Sequence, residues 1–456
     1  MSQSGSAPRP RQKTREIVSN FLWLSSEKVV DAIVAFAVTV LVARYLGPTE
    51  FGTLAYFLGL TTVFAAIARM GLDMVVIREL VRDPQGADLL LGTASGTKLA
   101  AGIAAAVGML LFTATTEPTG THALLFAGIL ATTLVVQALD VPDMLFAAHT
   151  QSRYAVISRS LTRVVMAIAR IGLVVAAASL TAFVSIAAAE AIFALAIMLV
   201  LYRLQGNRLQ RWAFDIRLAM TLARQSAPLM VAGLAILVMM RIDLVFLEKF
   251  RGGTEVGIYA CAIRISDVCV FLATGVMTSV APSLFSVRSE SREHYNHYIA
   301  CLFQGLSVVT MLIAVVLTMA SDRLIVTLLG SAFAASASVL RIYIWSTVFI
   351  ALGVVQGQWL VNEGYGLFVL YRSIGGAAIN IGANFALIPS YGAEGAALAA
   401  VIAQFASSVL ANLVYDKENR RIFVLQIKAL AWLNLHYLAR ARFLGGRNRP
   451  DTAQPY

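Results

Sequence analysis

Long apolar runs are the feature that most constrains this sequence. About twelve runs, rich in Ala, Leu and Val, follow one another with short polar breaks. A helix needs roughly 20 apolar residues to cross a hydrocarbon core about 30 Å thick, and the runs are that long. Only 13% of the 456 residues are charged, against about 25% in a soluble domain. We therefore predict an all-α polytopic membrane protein. The runs lie near residues 17–46, 51–70, 88–114, 122–148, 155–180, 183–203, 222–248, 256–283, 298–319, 336–360, 366–388 and 393–415.

A short motif occurs twice and divides the runs into two sets of six. RYLGPTEFG (Arg44–Gly52) and KFRGGTEVG (Lys249–Gly257) align when the sequence is shifted so that Thr49 falls on Thr254. Each copy lies between the first and second runs of its set, so the halves are predicted to be parallel repeats. Gly and Pro end one helix, and Thr followed by Glu suits the start of the next. We interpret both copies as helix-capping turns.

The repeat and the charge distribution divide the chain into five segments. Two six-helix bundles are predicted to be joined by a basic linker and flanked by basic tails. The segments are a cytoplasmic N-terminal tail (1–16), an N-terminal bundle (17–203), a cytoplasmic linker (204–221), a C-terminal bundle (222–415) and a cytoplasmic C-terminal tail (416–456).

Lys and Arg are concentrated on one side of the predicted membrane. They precede the first run, follow the second, fourth, sixth and eighth runs, and crowd the tail. The positive-inside rule places both termini in the cytoplasm and explains the net charge of +11 without a nucleic-acid partner. The first run is too long for a signal peptide, so we expect it to remain as a membrane helix.

Charged residues within the runs are the candidate functional residues. Each costs about 2.5 to 3.5 kcal/mol at the centre of a membrane helix, so it needs a partner or a water-filled cavity. Arg159, Arg163 and Arg170 share one face of the fifth run. Cations in both halves indicate a basic lumen for an anion, and the planar guanidinium suits phosphate. The seven candidate lumen cations are Lys28, Lys98, Arg163, Arg170, Arg241, Arg264 and Arg372.

A structural ion pair is the alternative for every one of these residues. Snorkelling to the interface or ion pairing is favoured for Arg159, Arg341 and Glu394, which lie near predicted helix ends. On the first run, Glu27 and Asp31 share a face, and Lys28 can pair with Asp31.

Motifs for catalysis or cofactor binding are not found in the sequence. Cys261, Cys269 and Cys301 have the pattern of apolar fillers, and His294 and His297 that of solvated residues in a cytoplasmic loop. GGTEVG lacks the Lys of a nucleotide-binding loop. We expect neither an enzyme nor a cofactor. The predicted outside loops are too short for an extracellular catalytic domain.

Four segments resemble those of a known family. LVARYLGPTEFGTLAYFLGL, MGLDMVVIRELVRD, SAPLMVAGLAILVMMRIDLVFLEKF and NFALIPSYGAEGAALAAVIAQ are similar, in order and spacing, to segments of bacterial polysaccharide transporters. These are the O-antigen and exopolysaccharide flippases of the multidrug, oligosaccharidyl-lipid and polysaccharide exporter superfamily. The resemblance covers residues 15–415.

The resemblance implies two bundles in a V around a cavity that works by alternating access. Its implied cargo is undecaprenyl-diphosphate-linked oligosaccharide, moved from the inner to the outer leaflet of the bacterial inner membrane. Lys28, Arg69 and Arg264 match, by helix, basic residues that hold the diphosphate in related flippases. Membrane lipids and, in the same pathway, polysaccharide polymerase and chain-length proteins are the expected partners.

The resemblance leaves open whether transport is coupled to H⁺ or Na⁺. Relatives that transport drugs or ions use acidic residues on the first helix, which corresponds here to Glu27 and Asp31. Asp243 and Asp267 are further candidates for ion coupling.

Three other functions remain open. A small-molecule or multidrug antiporter on the same fold would have an apolar, acidic lumen. A membrane-embedded polysaccharide polymerase or ligase would have a long outside loop with catalytic residues, and a non-transport scaffold would have no need of buried charge.

Overall fold

The computed structural model describes residues 10–116, 121–149 and 152–431, and the regular structure in these ranges is entirely helical. Within 10–32 only the backbone is described. The side chains of Glu27, Lys28 and Asp31 therefore lie outside the described part.

The described residues form seven α-helices in each half of the chain. The N-terminal half comprises α1 (Pro10–Arg69), α2 (Leu72–Arg82), α3 (Ala87–Thr116), α4 (Thr121–Ala138), α5 (Pro142–Ala148), α6 (Ser152–Val175) and α7 (Leu180–Leu204). The C-terminal half comprises α8 (Ile216–Arg251), α9 (Gly253–Glu290), α10 (Arg292–Leu329), α11 (Ser336–Tyr343), α12 (Ser346–Asn362), α13 (Gly366–Ser408) and α14 (Lys417–Leu430). Short 3-10 turns lie at Leu209–Arg211, Ser331–Phe333 and Leu410–Leu413.

Glycine breaks divide two of these helices into pairs of membrane spans. α1 is interrupted at Gly47 (φ 73°, ψ 175°), and Pro48 follows directly. α13 is interrupted at Gly392 (φ 54°, ψ −133°). Both residues have positive φ, which side chains disfavour and glycine tolerates. Each break falls between two predicted runs, so hydropathy located the turns correctly.

The described helices agree with the predicted number of crossings. Nine helical segments in the described ranges are long and apolar enough to span a membrane, and two of them contain the Gly47 and Gly392 breaks. α6 is not among the nine, because Arg159, Arg163 and Arg170 lower its hydropathy. Counting α6 and both members of each broken pair gives twelve, which confirms the predicted fold class.

One local prediction is wrong: His294 and His297 do not lie in a loop. α9 continues to Glu290 and α10 begins at Arg292, so only Ser291 separates the two helices. The Ser291 side chain accepts a hydrogen bond from the His294 backbone N–H at 3.4 Å and caps α10. The polar sequence RSESREHYNHY lowers hydropathy without preventing helix formation.

The two motif copies lie on the same side of the molecule, which we call the motif side; the opposite side, which contains Leu204–Ile216, is the linker side. α1 packs against α8 and α9 along the boundary between the halves. On the motif side one apolar core contains residues of both halves, among them Phe51, Val256 and Phe333. The Phe51 and Phe333 ring centroids lie 6.4 Å apart. The halves are therefore joined by apolar packing on the motif side.

Candidate functional site

A cavity lies between the two halves and has two adjoining chambers. The motif-side chamber has a volume of about 430 Å³ and the linker-side chamber about 600 Å³. The residues that line both chambers mark their junction: Leu58, Thr62, Arg163, Arg170, Glu190 and Arg264. A cavity of this size between helical bundles can hold a ligand.

The two chambers differ in chemistry. The motif-side chamber is walled mainly by aliphatic side chains such as Val38, Leu54, Leu244 and Ile263. The linker-side chamber contains hydroxyl, amide and carboxylate groups, including Thr133, Gln137 and Asp140, together with Arg69 and Arg159. The cavity thus offers an apolar end and a polar end.

Four arginines converge on the motif-side chamber. This arginine cluster consists of Arg163 and Arg170 from α6, Arg241 from α8 and Arg264 from α9. Arg163 and Arg170 share the face of α6 that the sequence predicted, and Arg241 and Arg264 approach from the other half. The structure therefore brings together four of the seven cations proposed for the lumen.

The described cavity lining carries an excess of positive charge. The linker-side chamber adds Arg69 and Arg159, which makes six arginines, whereas Asp140 and Glu190 are the carboxylates that line the two chambers. In a site with little water such a cluster attracts anions strongly. The predicted basic lumen is therefore present as a geometric feature, and its binding role remains a prediction.

Among the described residues, ion pairs hold Arg159, Arg170 and Arg264 of the cavity, and each of these three pairs lies within one half. Arg170 pairs with Glu190 of α7. Arg264 Nη1 lies 3.9 Å from Asp267 Oδ2 on the same helix, and Arg159 Nη1 lies 3.6 Å from Asp143 Oδ2. Movement of one half against the other leaves all three intact.

Two of the proposed lumen cations lie elsewhere. Lys98 Nζ contacts Asp73 Oδ1 at 3.1 Å, and its side chain is only 3% exposed, so it joins α3 to α2. Arg372 Nη1 donates to Gln356 Oε1 at 2.6 Å, within a polar chain that continues through Asn412. Neither residue lines the two chambers. Their protein contacts suit the structural alternative.

Asp243 occupies a separate polar cluster inside the C-terminal half. It is 2% exposed and accepts hydrogen bonds of 2.5 Å from Tyr259 Oη and from Asn384 Nδ2. Asn384 Nδ2 also donates to Asn380 Oδ1 at 3.0 Å. Asn384 Oδ1 and Asn380 Nδ2 are buried without a partner among the described residues. Carboxylate, amide and phenol oxygens are hard donors that suit a small cation such as Na⁺.

Sequence reasoning missed several of these residues. Glu190 and Asp140 were not singled out, because a single carboxylate in an apolar run has no spacing pattern of its own. The position of Glu190 near the middle of its run was a usable signal. Asn380 and Asn384 lie one helical turn apart on an apolar helix. That spacing was a usable signal for a buried polar site, and only its contact with Asp243 required the structure.

Comparisons with known proteins agree with the fold. Residues 17–288 match the model of a family described as polysaccharide biosynthesis protein. No curated protein is significantly similar to the chain in sequence.

Solved structures with a similar fold are membrane transporters. The lipid II flippase MurJ in an inward closed conformation has a TM-score of 0.70 and 14% identity, with 94% of each chain covered. An inward-facing multidrug resistance MATE family transporter of the MOP superfamily has a TM-score of 0.63 and 14% identity, with 90% of this chain and 96% of that chain covered. At such identities the similarity shows the V-shaped fold alone.

The family match covers more than half of the chain, and the structural similarity covers nearly all of it. Both agree with the resemblance found in the sequence. This multi-pass membrane protein, with the fold of a transporter, belongs to the polysaccharide biosynthesis protein family.

Proposed function

We propose that the protein is a flippase for undecaprenyl-diphosphate-linked oligosaccharide, the repeat unit of an O-antigen or exopolysaccharide. It moves this lipid from the inner to the outer leaflet of the bacterial inner membrane by alternating access. The observation that best supports this function is the arginine cluster, which lies where the apolar chamber meets the polar chamber. A lipid-linked glycan has the same order of parts, with a diphosphate between an apolar chain and a sugar.

The charge of the cluster supports an anionic cargo. Two arginines of each half line the motif-side chamber, and Arg163, Arg170 and Arg264 also line the junction, so a diphosphate there can be held by both halves at once. Guanidinium groups bond phosphate oxygens in pairs, and these bonds strengthen where water is excluded. A diphosphate with two charges gains roughly 4 to 5 kcal/mol per 100 mV on moving outward from a negative interior.

The proposed orientation follows from the distribution of Lys and Arg. Both termini and the linker side face the cytoplasm, and the motif side faces the periplasm. The linker-side chamber then lies toward the leaflet where lipid-linked sugars are made. Polysaccharide polymerase and chain-length proteins are the proposed partners after export.

Ion coupling is the second part of the proposal. The oxygen-rich cluster around Asp243 is the preferred place for Na⁺ or H⁺, because its carboxylate is buried and the acceptor Asn384 Oδ1 beside it has no partner among the described residues. Asp267 is less suited, since Arg264 neutralises it. Glu27 and Asp31 remain candidates from sequence.

A cation-coupled small-molecule antiporter is the alternative function. The aliphatic wall of the motif-side chamber favours it, and MATE transporters share the fold. An apolar cation, however, would face six arginines and two carboxylates. The positive excess therefore favours the flippase.

Reconstituted liposomes test the proposal. The full-length protein is expected to expose a labelled undecaprenyl-diphosphate-linked glycan to an impermeant enzyme on the far side of the membrane. Arg163→Gln with Arg264→Gln should slow this by at least about tenfold, the effect of roughly 1.4 kcal/mol of lost binding. Arg323→Gln, at an exposed arginine of α10 outside the cavity, is the matched control. Unchanged transport in the double variant, or transport of a cationic drug alone, would refute the flippase.

A further inference from the structure

The linker-side chamber has a polar wall that belongs to the N-terminal half. Of the described residues lining this chamber, only Leu237 and Arg264 come from the C-terminal half. The polar neutral and acidic groups of the wall are contributed by α1, α4, α6, α7 and the turn after α4. They are Thr61, Thr62, Thr133, Gln137, Asp140, Thr162 and Glu190.

Most threonines of this wall satisfy their hydroxyl groups locally. Thr61 and Thr62 donate to the carbonyls of Phe57 and Leu58, four residues earlier, at 2.7 and 2.8 Å. Such back-bonding is the usual arrangement for Thr within a membrane helix. These hydroxyl groups need no ligand.

Thr162 and Gln137 do not follow this rule. Thr162 is 3% exposed, and its Oγ1 has no hydrogen-bond partner in the described part of the chain. Gln137 Oε1 is likewise buried without a partner there. Buried polar atoms are nearly always bonded. Both residues line the chamber, so a rotation about their side-chain bonds can turn these oxygens toward a ligand or water there.

Asp140 adds a third acceptor to the same wall. It lies one helical turn beyond Gln137, and no salt bridge joins its carboxylate to a described residue. Arg159, the nearest arginine of the wall in sequence terms, is paired with Asp143 instead. Two neutral acceptors and a carboxylate require a ligand that donates several hydrogen bonds.

The arginine cluster beside these acceptors further restricts the kind of ligand that fits. Arg163, Arg170 and Arg264 of the arginine cluster line the same chamber as the three acceptors, so one ligand there can contact both sets of groups. A ligand that fits both regions carries several hydroxyl donors next to a negative charge. A sugar joined to a phosphate has this chemistry.

We propose that Gln137, Asp140 and Thr162 form a carbohydrate subsite, which binds hydroxyl groups of the first sugar attached to the diphosphate. The inference rests on the proposed flippase function and adds how the glycan is recognised. The subsite lies in the N-terminal half, whereas the arginine cluster is shared. The sugar is therefore held by one half while the diphosphate contacts both.

Binding measurements on paired lipids separate the two claims. The full-length protein in nanodiscs is titrated with undecaprenyl diphosphate and with the same lipid bearing one glucose, galactose or N-acetylglucosamine. At least one sugar-bearing lipid should bind about tenfold more tightly than the sugar-free lipid, as expected for two or three neutral hydrogen bonds.

Variants assign that difference to the subsite. Thr162→Val and Gln137→Leu preserve size, and each should reduce the preference for the sugar-bearing lipid by about fivefold. Neither should alter the binding of undecaprenyl diphosphate, and Thr162→Val should keep the thermal stability because its hydroxyl has no partner to lose. Arg163→Gln should weaken the binding of both lipids.

The outcomes are distinguishable. Equal binding of sugar-free and all sugar-bearing lipids in the wild type, or a preference that the variants leave intact, would overturn the carbohydrate subsite. Either result would leave the flippase standing if Arg163→Gln still weakens both lipids. Failure of the wild type to bind any of the lipids would overturn both proposals.

Discussion

The hydroxyl oxygens of Thr49 and Thr254 lie 2.8 Å apart, so the two copies of the repeated motif contact each other. Corresponding residues of the two halves meet, as expected at a local twofold axis. The glycines follow the same symmetry: Gly52 packs on the backbone of Gly253, and Gly257 packs on the backbone of Pro48. The motif is therefore both a helix break and the contact that joins the halves on the motif side.

Substitution of these glycines is expected to open the motif side. A Cβ on Gly52 would overlap the Gly253 carbonyl oxygen, and a Cβ on Gly257 would overlap that of Pro48. Backbone atoms cannot move aside as a side-chain tip can. Gly52→Ala with Gly257→Ala should reduce transport in liposomes by at least about tenfold, since closure is one half of each cycle. Labelling of a cysteine at Thr49 should increase at the same time.

Gly172→Ala on α6 is the control for this prediction, because no atom lies within 4 Å of its added Cβ. Near-normal transport and unchanged labelling in the glycine pair would show that the backbone contact is dispensable.

A disulfide across the axis should lock the transporter. Thr49→Cys and Thr254→Cys place two sulfur atoms where hydroxyl oxygens are now in hydrogen-bond contact. Oxidation should stop transport, and a reductant should restore it, because the motif side can then separate again. The background should have Cys261, Cys269 and Cys301 replaced by Ala or Ser. Full activity of the cross-linked protein would mean that this contact persists through the cycle.

Glu190 is expected to compete with the cargo for Arg170. The two residues form an ion pair at the chamber junction, and their side chains are 29% and 33% exposed. Glu190→Gln removes one of the two carboxylates that line the chambers, so the Kd for undecaprenyl diphosphate should fall by about tenfold, or about 1.4 kcal/mol. Titration in nanodiscs at low and high salt measures this. Glu394→Gln, an exposed carboxylate of α13, should leave the Kd unchanged.

An unaltered Kd in Glu190→Gln would show instead that Arg170 and Glu190 form a purely structural pair. A raised Kd would show that the carboxylate positions Arg170 for the ligand.

Lys98 and Asp73 should respond unequally to substitution. The Lys98 side chain is 3% exposed and that of Asp73 is 49% exposed. Lys98→Met leaves a carboxylate that water can solvate, whereas Asp73→Asn leaves a buried ammonium without its counter-ion. The second change should cost about 3 kcal/mol or more and the first about 1 kcal/mol. Thermal unfolding in detergent measures which variant is less stable. Similar melting temperatures for the two variants would contradict this prediction.

Hydropathy and glycine placement predicted the helices well, because membrane insertion depends on apolar length, and a tight turn depends on local residues. Gly47 and Gly392 illustrate this. The position of a charge along its helix was also predictable, but its neighbours were not. Arg163 and Arg170 were placed correctly, since they share a face of one helix. Lys98 is likewise a cation inside an apolar run, and yet it contacts Asp73. This contact depends on the packing of α2 on α3, which the sequence does not reveal.

The residues of the proposed carbohydrate subsite could not be recognised from the sequence. Gln137 and Thr162 are ordinary polar residues in apolar helices, and nothing in their spacing distinguishes them from Thr61. What sets them apart is the absence of a partner among the described residues, which depends on the packing of α4 against its neighbours.

Asp243 is expected to couple transport to a cation. Its carboxylate is buried with Tyr259, Asn380 and Asn384, and Asn384 Oδ1 lacks a partner within the described ranges. Asp243→Asn removes the negative charge that would hold Na⁺ or H⁺ and retains the size of the side chain. In liposomes with an imposed Na⁺ or pH gradient, the wild type should respond by a few-fold or more, and the variant should lose that response. Asp267→Asn is the comparison, because Asp267 pairs with Arg264 and should alter cargo binding instead. A gradient response that survives in Asp243→Asn and disappears in Asp267→Asn would move the coupling site to α9.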